Sequence, residues 1–290
     1  MSLPDDVRRH AAEVAASARR VRIDEELLDA LEPGEAPPAD AERHFLDGEP
    51  EDVADYALTL NAVNFGSGWF PTLRKRPGSS GYWTVAWSLA DRWRAEGPWS
   101  AAELRGLTAA DVATTLGQPA GHELMALYAQ ALRALGAFLG DRRALDLVGD
   151  AGGRADRLAR MVVDGMPFYR DHGLYKRAQI LCADIEGFGL GRLEGVDQLT
   201  MFADNLVPHV LRCAGVLRYD DALAERIDAG RLLPIGGAEH EIRCCALHAI
   251  ERLSARTGVP PRTLDAWLWH AGQRPEVKAR PRHRTRTVFY

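Results

Sequence analysis

No run in these 290 residues approaches the ~20 consecutive apolar residues of a membrane helix, so a spanning segment is not expected. Met1 to Arg20 is charged and lacks an apolar core, so a secretory leader is not expected either. Cysteine is scarce. Cys182, Cys213, Cys244 and Cys245 show no C-x-x-C spacing and two are adjacent, which suits free thiols in a reducing cytoplasm and not a disulfide framework. There is no excess of positive charge. The 36 Lys and Arg face 41 Asp and Glu, a net charge of −5, which argues against a dedicated duplex nucleic-acid binder. The glycine-rich loop Gly66-Ser67-Gly68 is followed by no Gly-Lys-Ser/Thr, and neither G-x-S-x-G nor H-E-x-x-H occurs. Internal repeats and low-complexity linkers are missing too.

What is present is an ordinary globular mix, 46% hydrophobic and 27% charged, which excludes disorder. Helical periodicity dominates, with helices expected at Asp5–Arg20, Asp24–Leu31, from Pro50, at Gly81–Arg94, and through Leu124 to Phe138. Ser100 to Glu103 reads as a capping box. Further helices are expected at Arg154–Val163, Tyr175–Ile185, Asp197–Cys213, Asp221–Ala229, Glu239–Thr257 and Thr263–His270. Glu32 to Asp40 is acidic and proline-rich, a solvated loop. Thr285–Tyr290 is the one strand-like run. The reading is an all-α fold forming a single unit over residues 1–290, two helical lobes packed around a cleft, with at most a minor C-terminal strand.

Several clusters could carry chemistry. In Asp197–His209 an apolar stripe of Leu199, Phe202, Leu206 and Val210 predicts a helix with Asp204 on the opposite side and a kink at Pro208. Phe168 and Tyr169 precede the basic pair Lys176-Arg177, good chemistry for a phosphate or carboxylate, though exposed bases at a helix entry would look the same. His240, Cys244 and His248 share one helix face. Over three turns they span ~12 Å, so only a pair could serve one ion, and only with ligands from elsewhere. No metal or cofactor is expected at the functional site. Lys278, Arg280, Arg282, Arg284 and Arg286 form a basic tail, suited to a phosphate or to docking the terminus. After Asn64-Phe65, the glycines let the backbone approach something closely.

Taken in order, seven segments resemble the queuosine salvage proteins, the queuosine 5′-phosphate N-glycosylase/hydrolase family. They are Leu60–Trp69, Pro167-Phe168 with Asp171, Tyr175–Leu181, Leu199–Asp204, Glu241–Arg243, Leu264–Trp269 and His283–Tyr290, with His44 a looser match upstream. The resemblance implies a helical fold similar to helix-hairpin-helix DNA glycosylases. It also implies hydrolysis of queuosine 5′-monophosphate to queuine and ribose 5-phosphate. From the cysteines, charge and lack of apolar runs, a cytoplasmic protein without nucleic-acid or membrane partners is expected, and a monomer. In the family pattern Asp204 falls on the catalytic aspartate, stabilising or attacking the ribosyl cation, and Lys176 on a lysine near the site. Phe202, Asn205, Asp265 and the upstream His44 fall on or beside substrate-binding positions, though many relatives carry an aromatic where this chain has Asn205 and an acid where it has His270; Asn64 and His270 are further substrate-binding candidates.

Breaking a nucleoside C1′–N bond builds positive charge on the sugar, which a fixed carboxylate opposes. A 7-deazaguanine lacks N7, so help to the leaving group must come through other ring atoms or through stacking. Phe65, Trp69 and Phe202 are the aromatics expected around the base, with Asp265 meeting the cationic amine of the queuine arm. Lys176, with Arg177 or the tail arginines, is expected either to hold the 5′-phosphate or to keep Asp204 ionised. Two alternatives remain on sequence: a non-catalytic module that binds a modified nucleotide, and a DNA-repair glycosylase, which the negative net charge disfavours.

Overall fold

The computed structural model describes residues 2–290. Ser2 opens α1 (Leu3–Ser17) through a reciprocal capping box with Asp5. The chain then gives β1 (Val21–Ile23), α2 (Glu25–Asp29) and a long irregular stretch before Pro50 starts α3 (Pro50–Ala62). Next come α4 (Gly81–Glu96), α5 (Ala101–Gly106), α6 (Ala109–Thr115) and α7 (Glu123–Leu139). The expected Ser100–Glu103 capping box opens α5. The middle of the chain forms α8 (Ala144–Asp150), α9 (Ala155–Gly165), α10 (Lys176–Gly187) and α11 (Val207–Cys213). It ends with β2 (Leu217–Tyr219), α12 (Asp221–Asp228), α13 (Ala238–Thr257), α14 (Pro261–Ala271) and α15 (Pro275–Ala279).

The all-α reading holds, with one addition. β1 and β2 pair antiparallel, Val21 opposite Tyr219, in a two-stranded sheet too short for a periodicity signal. α13 is the central post. Ile242, Leu247 and Ile250 are fully buried, and α1, α11 and α14 pack around it. α3 and α9 pack on α10, which fixes the first turn of α10 against the end of α3.

Two expectations are corrected. Thr285–Tyr290 is not a strand: it runs without a strand partner over the Gly66–Trp69 loop. The Gly66 amide donates to the Tyr290 carbonyl at 2.9 Å, and a Cβ on Gly68 would lie 2.4 Å from the Thr285 carbonyl oxygen. The glycines therefore serve the close approach that their pattern suggested, and the tail is what approaches. Nor is Asp197–Cys213 one helix. Val196–Gln198 is a single 3-10 turn, residues 199–206 are irregular, and the α-helix starts only at Val207. Pro208 marks the start of α11 and not a kink, because a proline in the first turn has no helical amide bond to lose.

Candidate active site

A cavity of about 720 Å³ opens where the end of α3, the start of α10, the 202–206 segment, α14 and the tail meet. Binding pockets for small ligands commonly measure ~300–1,000 Å³. Of the residues singled out in the sequence, His44, Asn64, Phe65, Lys176, Phe202, Asp204, Asn205, Asp265 and His270 all line it. Trp69 and Arg177 do not. The Trp69 indole donates to Glu123 at 2.7 Å, outside the cavity. Arg177 is buried beneath the wall and donates to the carbonyls of Asn61, Ala62 and Phe168. It closes the C-terminal end of α3 and stacks its guanidinium 4.9 Å from the Phe65 ring, so it shapes the wall without reaching the interior.

The 202–206 segment is held from every side. Gln179 accepts from the Thr200 amide, Asp265 accepts from the Phe202 amide at 2.9 Å, and Arg243 donates to the Ala203 carbonyl at 2.9 Å. Asn205 donates to the His283 carbonyl at 3.0 Å, tying the segment to the tail. Asp204 Oδ1 accepts from the amides of Leu206 and Val207, at 2.7 and 3.1 Å. That turn uses one carboxylate oxygen on the backbone and leaves Oδ2 without a protein partner among the described residues.

Charges of both signs converge here. Burial pushes the Lys176 ammonium down to about 8, and the negative charge of Asp204 opposes that fall. Lys176 Nζ reaches only long contacts with the Asn64 carbonyl and side-chain oxygens, at 3.4 and 3.5 Å. Asp265 is pushed well above the usual carboxylate range, by burial first and by the charge of Asp204 second. Burial also depresses Arg282, while Asp204 works against it. Lys75, Lys278, Arg280, Arg282 and Arg284 line the cavity together, so four of the five basic tail residues face one space. Arg286 turns away to Glu123.

The opposite wall is aromatic. Tyr82, Trp83 and Trp269 pack edge to face at 5.1 to 5.9 Å, and the His44 ring sits 5.2 Å from Trp83 and 5.1 Å from Phe188. Tyr56 donates its hydroxyl proton to the Ala86 carbonyl at 3.1 Å. It must therefore accept from His44 Nδ1, 3.1 Å away, which leaves Nε2 an acceptor. Burial pushes His44 down to about 4, which keeps that neutral tautomer through the physiological range. The Pro37–Asp40 stretch expected to be mere solvated loop closes part of this rim.

Sequence reasoning missed Tyr82, Trp83, Phe188 and Asp184. The first two read as core of α4. Asp184 stands two turns after Lys176 on α10, where an i, i+8 spacing to that expected site residue was the available signal. Its carboxylate accepts from Asn61 at 2.6 Å, and burial raises it to about 7. A folded-state value above the unfolded one means stability is lost as pH rises from ~4 through about 7. Asp184→Asn keeps the acceptor for Asn61 and removes that loss. The variant should be more stable by on the order of 2 kcal/mol at pH 8, and the gain should shrink toward pH 5. Thermal melts across that range test it; a difference that does not vary with pH contradicts it.

Among the described residues, the one group of three His, Cys, Asp or Glu side chains close enough to share an ion lies away from this cavity, between α1 and α13. Among the described residues, no helix is long and apolar enough to cross a membrane.

The fold and cavity thus define a helical protein with a nucleotide-sized pocket, acidic and aromatic inside and basic at the tail. A family model described as "Queuosine salvage protein" matches residues 44–290, and the chain belongs to that family. A relative from Sphaerobacter thermophilus, named "Queuosine 5'-phosphate N-glycosylase/hydrolase", is 35% identical over 274 residues, covering 86% of this chain and 84% of the relative. Proteins of the same name from Mus musculus and Nematostella vectensis are 33% and 34% identical. Those two matches span about half of this chain and about half of each relative, 51% and 49%.

Proposed function

We propose that this chain hydrolyses the N-glycosidic bond of queuosine 5′-phosphate, the reaction for which its relatives are named, and so releases queuine for salvage. What supports the reading is the meeting of Asp204, Asp265 and Lys176 in one cavity of nucleotide size within a member of this family. In the reaction the C1′–N bond breaks and its electron pair leaves with the base. Water supplies hydroxide to C1′ and a proton to the base, giving queuine and ribose 5-phosphate.

Asp204 acts through Oδ2, the oxygen its own turn leaves unused, which opposes the charge growing on the sugar and orients the water. Lys176 lines the same cavity, and its positive charge and that carboxylate attract each other. Asp265 receives the cationic amine of the queuine arm, which supplies the counter-charge that this buried acid lacks. Arg282 and its neighbours on the tail hold the 5′-phosphate, and the Tyr82–Trp83–Trp269 wall with Phe65 and Phe202 encloses the base. Asn64, Asn205 and His270 shape the ribose side, and His44 offers Nε2 as an acceptor. The enzyme works as a cytoplasmic monomer on a small nucleotide, with no metal or cofactor in the active site and without nucleic-acid or membrane partners.

Incubating the purified chain with queuosine 5′-phosphate should release free queuine, detected by mass spectrometry. Tight binding of the nucleotide with no queuine formed would make the chain a binding module instead. Failure to bind the nucleotide at all would overturn both readings.

A further inference from the structure

Cys244 and His240 lie one turn apart on α13, and His248 lies a further turn away, too distant to complete an ion site with both. The structure brings the missing ligand from α1. His10 Nε2 stands 2.8 Å from His240 Nε2, and Cys244 Sγ stands 3.5 Å from the same atom. The three ligand atoms all lie within 4.8 Å of one another. We propose that His10, His240 and Cys244 form a zinc site that clamps α1 to α13.

Without an ion, one N–H···N bond pairs His10 with His240, and the Cys244 thiol is left over. His240 Nε2 carries either one proton or one lone pair, yet it faces both His10 and the Cys244 thiol. As a donor it leaves Cys244 without an acceptor; as an acceptor it must share one lone pair between two partners. A divalent ion at the centre resolves this, because all three groups then present lone pairs to it. Tetrahedral zinc, with bonds of ~2.0–2.1 Å to nitrogen and ~2.3 Å to sulfur, separates two nitrogens by ~3.4 Å and nitrogen from sulfur by ~3.6 Å. The sulfur is already at that spacing from His240 Nε2, and the two imidazoles need to part by about half an ångström.

The frame suits such a site. α1 packs along α13 as one of the principal helix contacts of the fold, so both ligand-bearing surfaces are fixed. Gly173 has its backbone against His10, where a Cβ would come within 2.9 Å of the ring, and this holds the imidazole toward α13. Cys244 is fully buried while His10 and His240 are half-buried, which leaves water access for a fourth ligand. The Cys244 thiol loses its proton as the ion arrives, one proton released per zinc bound. Two imidazoles and a thiolate favour zinc over magnesium or calcium, which take oxygen ligands.

The test uses the full chain, reduced and stripped with a chelator, and titrated with cobalt(II) as an optical stand-in. One equivalent should produce a thiolate-to-cobalt charge-transfer band and tetrahedral visible bands, and one equivalent of zinc should abolish both. Cys244→Ser should lose the charge-transfer band, and Cys244→Ser and His10→Ala should each lower zinc affinity at least 100-fold. Zinc should raise the melting temperature of the wild type and not that of His10→Ala, which lies on the half-buried side and carries the test by itself should Cys244→Ser not fold. A chain that shows no thiolate band with cobalt, or a zinc-induced shift that survives His10→Ala unchanged, overturns the proposal.

Discussion

Asp204→Asn should lower kcat by about 10³-fold or more while KM for queuosine 5′-phosphate changes little. The amide oxygen still accepts from Leu206 and Val207, so the turn should survive, and only the charge is lost. At ~4 Å and an effective dielectric near 20, a charge pair is worth ~4 kcal/mol, which is about three decades of rate. Enzymes commonly lower barriers by ~8–23 kcal/mol, so Asp204 supplies a part and the grip on base and phosphate must supply the rest. The companion variant separates the two acids. Asp265→Asn removes the proposed partner of the substrate amine and should raise KM, with kcat changed less. Steady-state kinetics on both variants, with thermal melts to confirm folding, decide the matter. An Asp204→Asn enzyme within tenfold of wild-type kcat would refute the proposed role, and a loss seen in KM alone would make Asp204 a binding residue.

How much of this was legible in the sequence differs from element to element. α7 was plain, because Leu124, Leu132 and Leu135 recur at helical spacing and are indeed buried. The 199–206 segment carried the same spacing and is not helical. Its apolar residues are buried from several directions by α10, α13, α14 and the tail, so burial there follows tertiary contacts and not one helix face. The strand-like tail was misleading for a related reason: His283, Thr285 and Thr287 are buried in alternation, but the run lies against a glycine loop and not in a sheet. Lys176 was legible through its family motif, yet its burial was not, since a basic pair at a helix start is ordinarily exposed. The aromatic wall was hidden because Tyr82 and Trp83 stand in an aromatic-rich helix that reads as core, and Phe188 follows the end of α10. The third ligand for His240 and Cys244 sits 230 residues away in sequence, beyond any spacing rule.

Arg243→Met should cost about 3–5 kcal/mol of stability, the range for breaking a buried ion pair by removing one partner. The side chain is 1% exposed and pairs with Asp171, itself 2% exposed, at 2.5 and 2.9 Å, and with Glu239 at 3.4 Å. Methionine fills the volume of the side chain but leaves two carboxylates buried without a cation. At roughly 2–4 °C per kcal/mol for a chain of this size, the melting temperature should fall by about 10 °C. Arg243 has a second task, since its Nε donates to the Ala203 carbonyl next to Asp204, and its guanidinium lies 4.4 Å from the centre of the Tyr290 ring. A double variant, Arg243→Met with Asp171→Leu, removes one of the two stranded carboxylates and should recover part of the lost stability. It cannot restore the donor to Ala203, so kcat should stay well below wild type in the double variant even as its melting temperature rises. Recovery of both together would mean that Arg243 only stabilises the fold, whereas recovery of stability alone would separate the ion pair that holds α13 to the 171 turn from the hydrogen bond that sets the position of Asp204.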